Sequence, residues 1–532
     1  MIKKWMVLII LSMSMFIIII DTTIMNVSIS ALVKDLNTTV SGVQGAISLY
    51  SLVMASFILI GGKLGEVIGK KKTFLIGTAL FGIGTFIAAI SEDLTTLIVG
   101  WSIIEGIGGA LMVPNISTLL KDEYKKGDVA FSFSIISATT AVGAAVGPIA
   151  GGYLTTFHSW RWAFLLEVVI VIIVLLLSGY IKTDILASIK PKFDFIGAIL
   201  SILGLFSVVL GILLGQKYGF WLAKQPLVIG SLEIAPFGLS ITPILVGLGI
   251  ILLILLFKWE NRREKKGKDG LFKPSLFNIP GLTPAYIVRG LQMAIVAAFI
   301  FTYPLLLQLT FEYTAIETGI ALVPFSLAVL ISAIVGARLA KRFAVKRIIQ
   351  VGFLLVIIGL GIVVWTVTPD VQPSDLGLGV IFGIGYGLTS SQVVNLIFSS
   401  VNDKDTPEAA GLNGTFEQLG NSIGVALVGT VMLSSLIFGL QFSIAESEDI
   451  PQEYKAEINE ALKTSVELVS NTQLKAELDK LGADPQLRAE VMEAYSLSRT
   501  EAFQIGLLFQ MFLAIIGLIS TTGLSGRKLI ED

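Results

Sequence analysis

No cysteine occurs in the 532 residues, so neither a disulfide framework nor a thiolate metal site can form. Histidine is almost as scarce. His158 stands alone, which leaves imidazole metal centres and Ser-His triads without support and, with the missing cysteine, disfavours an enzyme. Charge is thin: 14% of residues are Asp, Glu, Lys or Arg, against about a quarter in soluble proteins. The net charge of -1 gives no basic footprint for nucleic acid. Nucleotide motifs are missing too. Gly383, Gly385 and Gly387 lie in an apolar run with no strand before them, and GEVIGKKKT lacks phosphate-loop spacing. Without a nucleotide domain this chain is not itself an ATP-driven pump.

What is abundant is apolar sequence. Hydrophobic residues make up 54% of the chain and fall in fourteen blocks, each about the twenty residues needed to cross a bilayer as a helix. Lys3 and Lys4 lead into a run that carries Asp21 and outlasts a signal-peptide core, so it is expected to be an uncleaved first helix. An even span count puts both termini on one side. That side collects 27 of the 38 Lys and Arg residues, while the short loops opposite hold only Lys34, Arg161, Lys217 and Lys224. This bias marks the basic face as cytoplasmic. Tyr218 and Trp221 are placed as interface anchors. The expectation is an all-α, multi-pass protein of the cell membrane with the bilayer as its surroundings.

One long stretch, about residues 440–500, is not apolar enough to span. Thirteen acids face six bases from Glu446 to Glu501, which reads as a solvated face. Heptad-like apolar spacing (Ile458, Leu462, Val466, Val469; Leu474, Leu478, Leu481; Leu487, Val491, Tyr495), broken between Gly482 and Pro485, predicts amphipathic helices on the outer surface.

Two loops repeat one pattern. GKLGEVIGKKK (Gly62 to Lys72) and ARLAKRFAVKR (Ala337 to Arg347) stand 275 residues apart, as in a duplicated half. The organisation read from this is a six-helix bundle over 1–190, two inserted helices and a linker over 191–270, and a second six-helix bundle over 271–532.

The first of these loops resembles the signature of the major facilitator superfamily at Gly62, Leu64, Gly69, Lys70 and Lys71. DTTIMNVSI (Asp21 to Ile29, including Asn26) resembles the helix 1 segment of its fourteen-helix drug:proton antiporters. GAAVGPIAGG matches their helix 5 motif at Gly143, Gly147, Pro148, Gly151 and Gly152, and WRWAFLLEV follows it. EQLGNSIGVA, from Glu417, resembles their helix 13. The chain also departs from the pattern. Glu66 and Val67 stand where the loop motif has Asp and Arg, and Ser102 and Glu105 stand where helix 4 has Arg and Gln.

The resemblance implies a major facilitator fold and a proton-coupled exporter of lipophilic, cationic small molecules. Its partners would be substrate and protons, its energy source the proton gradient. No cofactor or metal is expected, and the chain is expected to act as a monomer. A dedicated exporter or flippase of one metabolite, peptide or lipid is the alternative. A non-transporting sensor or assembly subunit is a further one, although no long cytoplasmic output domain is evident.

Ionisable groups within a bilayer cost about 2.5–3.5 kcal/mol or more and are functional candidates. Asp21, Glu105 and Glu417, with Asn26, are the expected proton-coupling and substrate-binding set, converging on one cavity without a basic partner. Glu167 is expected to be wet, and Arg289 to snorkel to the headgroups. The loop residues Gly62, Leu64, Glu66, Gly69, Lys70 and Lys71 are the expected cytoplasmic gate. The helix 5 glycines are expected to form a close-packed seam beside a Pro148 kink.

Overall fold

The computed structural model describes residues 2–124, 126–182, 192–229, 232–368, 371, 377, 379–402, 405–446, 466–480 and 485–525. Fourteen helices among them are long and apolar enough to cross a membrane. The first six are α1 (Ile2–Val27), α2 (Val40–Ile68), α3 (Lys70–Ala89), α4 (Leu94–Glu123), α5 (Lys126–Phe157) and α6 (Arg161–Leu177). Next come α7 (Phe195–Tyr218) and α8 (Ile241–Lys265). The last six are α9 (Leu282–Thr310), α10 (Ala315–Leu339), α11 (Val345–Thr366), α12 (Val380–Ser399), α13 (Thr406–Glu446) and α14 (Pro485–Ser520).

Helices α1–α6 pack among themselves, chiefly α1 on α5 and α3 on α4 and α6; helices α9–α14 do the same, chiefly α9 on α13 and α11 on α12. The two groups meet along α2 with α13 and along α5 with α10. Helices in lipid gain no hydrophobic drive from one another, so close approach depends on small residues and hydrogen bonds. Both are present. Gln44 Nε2 donates to the carbonyls of Val425 (3.0 Å) and Ala426 (3.1 Å), and Ser422 Oγ donates to Ser48 O at 2.6 Å.

Helices α7 and α8 pair with each other. Helix α7 also lies against both α2 and α13, with Leu205 and Val209 packed on Leu52, Leu419 and Ile423.

Three features depart from the sequence reading. A short antiparallel hairpin, Leu227–Ile229 with Leu232–Ile234, joins α7 to α8. Helix α4 is not uniformly α-helical: Ile98–Glu105 is a π-helix, a geometry concentrated at functional sites. The third stretch of the outer segment is not a separate helix, because Val491 and Tyr495 belong to the first turns of α14. Ile458, Leu462 and Leu481 lie outside the described residues. Asn471–Lys480 is a helix as expected. The segment is tied to both halves: Ser41 Oγ, at the start of α2, donates to Glu467 (2.9 Å), and Thr472 N donates to Glu312 (2.8 Å) between α9 and α10.

Candidate functional site

A cavity of about 1030 Å³ lies between the two helix groups. Its walls come from α1, α2, α4, α5, α9, α10, α12 and α13, and it reaches Lys63, Glu66, Lys121 and Glu408 at the face carrying the basic loops. At the opposite face the halves are latched. Gln308 of α9 accepts from Ser30 Oγ at 2.6 Å and donates to Val27 O at 2.9 Å. Thr156 Oγ1 accepts from Ile316 N at 3.1 Å. The structure is therefore open toward the basic loops and closed on the other side.

The glycine motif of α5 divides between two partners. Gly143, Gly147 and Gly151 face α1: a Cβ at Gly147 would lie 1.9 Å from Thr23 Oγ1, and one at Gly151 would lie 2.9 Å from Ile24 Cα. Gly152 faces the other half. A Cβ there would stand 2.5 Å from Ala315 O and 2.7 Å from Ile316 Cα. Gly319 returns the contact, since its Cβ would meet Pro148 O at 2.2 Å. The closed end is thus a backbone-to-backbone crossing of α5 and α10 that only glycine permits.

The loop motif sits at the open end. Gly69 alone separates α2 from α3, and its φ of 109° is a conformation that side chains disfavour. Glu66 pairs with Lys63 at 2.7 Å, and Lys70 pairs with Asp122 at the end of α4. Lys71 Nζ donates to Ile181 O at 2.7 Å. Leu64 packs against the core, and Gly62 lines the cavity. Across the mouth, Lys273 bonds Asp405 (2.8 Å) and Glu408 (2.9 Å). Burial alone would lower the Lys273 ammonium, but these two carboxylates outweigh it and hold it above its usual range.

The three acids expected to converge do not. Glu417 and Asn26 line the cavity, whereas Asp21 and Glu105 lie behind its wall. Nor is Glu417 without a base. Arg289 of α9 pairs with it at 2.6 Å and also donates to Gln292 (3.1 Å), which donates to Thr389 (2.8 Å). Arg289 is therefore a buried partner of α13 and does not snorkel. It lies about seven residues inside α9, roughly 10 Å at the helical rise, too deep for the headgroups. The carboxylate stays 29% exposed and the guanidinium only 6%, so the cavity meets the negative member of the pair.

Asp21 and Glu105 instead join Glu167 of α6, which is 2% exposed rather than wet. One carboxylate oxygen from each lies within 4.8 Å of the others. Trp101 Nε1 donates to both Asp21 oxygens at 3.0 Å, and the Tyr50 ring stacks on Trp101 at 5.2 Å. The oxygens of Glu105 and Glu167 make no hydrogen bond of regular geometry, although Thr85 and Asp21 lie close to Glu105. No ion pair among the described residues reaches any of the three. Three negative charges cannot stand uncompensated at this spacing in a low-dielectric interior, so the cluster carries protons or a cation.

Comparison with known proteins places these observations in a family context. The sequence profile of the Major Facilitator Superfamily matches residues 11–194 and 195–425. The puromycin resistance protein of Streptomyces alboniger is 24% identical over 437 residues, covering 81% of this chain and 82% of that protein. The cephamycin export protein of Amycolatopsis lactamdurans is 27% identical over 429 residues, 78% of this chain and 82% of that protein. A multidrug efflux pump of Mycolicibacterium smegmatis is 23% identical over 431 residues, 81% of each chain. Among solved structures, a bacterial homolog of the human lysosomal transporter Spinster, inward-facing and unoccupied, superposes with a TM-score of 0.59. It is 13% identical, covering 98% of this chain and 97% of that one. A D-xylose-proton symporter superposes at 0.56 with 10% identity, covering 80% of this chain and 90% of that one.

Proposed function

Because the chain belongs to the major facilitator superfamily, whose members are transporters rather than enzymes, we propose that it is a secondary active exporter exchanging lipophilic cations for protons. The observation that carries this reading is the cavity between the halves, open at one face and latched at the other. Its wall offers a carboxylate while withholding the paired guanidinium. Apolar and aromatic surface from Phe133, Phe325, Tyr386 and Phe398 would bury a lipophilic body, and ring faces attract cations. A proton on Glu417 and a cation beside it are alternatives, which is the logic of antiport. Asn26 would add a polar contact from α1. Relatives that carry puromycin resistance, cephamycin export and multidrug efflux in their names support efflux as the direction.

Purified protein should release protons when a lipophilic cation such as tetraphenylphosphonium is added. Release on adding a single metabolite, and on adding no organic cation, would favour a dedicated exporter instead.

In this reading the basic, open face is cytoplasmic, the chain works as a monomer in the cell membrane, and the gradient replaces any cofactor. Reporter fusions in the Asn471–Lys480 helix and after α14 should fall on opposite sides of the membrane. A shared side would overturn the orientation.

A further inference from the structure

The cavity accounts for Glu417 but leaves the cluster behind α1 without a role. That cluster draws one acid each from α1, α4 and α6, and all three are at most 2% exposed. Its free lone pairs are many. The four oxygens of Glu105 and Glu167 make no hydrogen bond of regular geometry, and the indole N–H of Trp101 occupies only one lone pair on each Asp21 oxygen. A second, neutral group points the same way. The Tyr50 hydroxyl is 1% exposed, makes no hydrogen bond of regular geometry and lies near the three carboxylates, Asp21 foremost. A buried hydroxyl without a regular hydrogen bond is uncommon, and its oxygen adds a fourth donor of the hard type. The π-helical turn Ile98–Glu105 ends on one of the ligands.

Dimensions narrow the guest. Hard cations of calcium size bind oxygen at about 2.3–2.6 Å, so ligands on opposite sides of the ion stand roughly 4.6–5.2 Å apart. The carboxylate oxygens lie within 4.8 Å of one another. Magnesium, at about 2.0–2.1 Å, needs a tighter cage and keeps its waters, for which a fully buried cluster has no room. Soft metals are disfavoured by the all-oxygen donor set.

We propose that Asp21, Glu105, Glu167 and the Tyr50 hydroxyl form an occluded site for a dehydrated hard metal cation of sodium or calcium size. The site joins four helices of one half, α1, α2, α4 and α6, and is separate from the cargo cavity, so it stands independently of the export reading.

The test uses full-length protein, stripped with chelator and kept in choline chloride. Equilibrium dialysis with radioactive sodium or calcium, and thermal unfolding with each ion at constant ionic strength, provide two readouts. One ion is expected to bind saturably, about one per chain, and to raise the melting temperature by several degrees by mass action. Sodium would mark an exchangeable ion and calcium a clamp, and either supports the site. Magnesium should be weaker. Glu167→Gln and Glu105→Gln should each cut affinity by about tenfold or more. Without metal, the same variants should melt no lower than wild type, because a carboxyl without a cation must be kept neutral by a proton, as the amide already is. A purely structural carboxylate would not give that result. The proposal is overturned if neither ion binds saturably or if the variants bind like wild type. Cation-evoked proton release measured on the same samples separates the two readings: release without metal binding leaves export standing and removes the metal site.

Discussion

Gly152→Leu is expected to abolish export and to hold the cavity open to the outside. A Cβ at this position already stands 2.5 Å from Ala315 O and 2.7 Å from Ile316 Cα, and backbone cannot rotate away as a side chain can. The closed outer end would bear an overpacking penalty of about 3 kcal/mol, roughly a hundredfold in population. The open outer end, where α5 and α10 separate, would bear none. The absence of native cysteine makes this directly measurable. Ser326→Cys puts a single thiol in the cavity wall, and an impermeant maleimide added outside should label it much faster in the Gly152→Leu background. Normal export with unchanged labelling would show that this crossing does not have to open and close. Gly147→Leu should act differently, because its obstacle is the Thr23 side chain on α1. It would disturb packing within one half and leave the balance between the two openings nearly untouched.

Glu417→Gln is expected to eliminate cation-evoked proton release and to destabilise the protein. It removes the carboxylate exposed to the cavity and strands Arg289, whose side chain is 6% exposed, with only Gln292 as a partner. Breaking a buried ion pair from one side costs about 3–5 kcal/mol, and partial wetting of the carboxylate puts this case near about 3 kcal/mol. The double variant Arg289→Gln, Glu417→Gln should recover much of the melting temperature, since no lone charge remains, yet still fail to release protons. Thermal unfolding and proton release on wild type, both single variants and the double variant close the cycle. Recovery of transport along with stability would mean that the pair only holds α9 to α13.

The architecture was legible because its signals are long and redundant. Twenty-residue apolar blocks, the bias of Lys and Arg to one face and two similar loops each constrain the whole chain, so an error at one residue changes little. The site was legible only residue by residue. Asp21 and Glu105 stood out as acids within apolar runs, but which wall of a helix they face depends on packing that no local pattern records. Glu167 was misread as wet because it lies only six residues into α6. Asp21 lies six residues before the end of α1, so both sit about 9 Å below the same surface at the helical rise. That shared depth was available in the sequence. Arg289 was misread for a related reason: its partner lies 128 residues away, and the pair exists only once α9 and α13 are set side by side. The division of the α5 glycines between α1 and α10 could not have been foreseen either, since Gly151 and Gly152 are consecutive residues only about 100° apart around one helix.

The position of α7 bears on how a greasy molecule reaches the cavity. A two-halved transporter has two flanks where its halves meet, and each is a possible doorway for a compound dissolved in the bilayer. Here α7 leans across the α2 and α13 flank, with Leu205 and Val209 set against Leu52, Leu419 and Ile423. It caulks that side with hydrocarbon on the protein's own account. On the other flank, contact between α5 and α10 is concentrated at the outer end, around Gly152 and Gly319, and no further helix among the described residues packs across it. The inserted pair thus gives an otherwise symmetrical molecule a sealed back and an unsealed front. In the export reading, cargo dissolved in the leaflet on the open side would have one approach to Glu417, between α5 and α10.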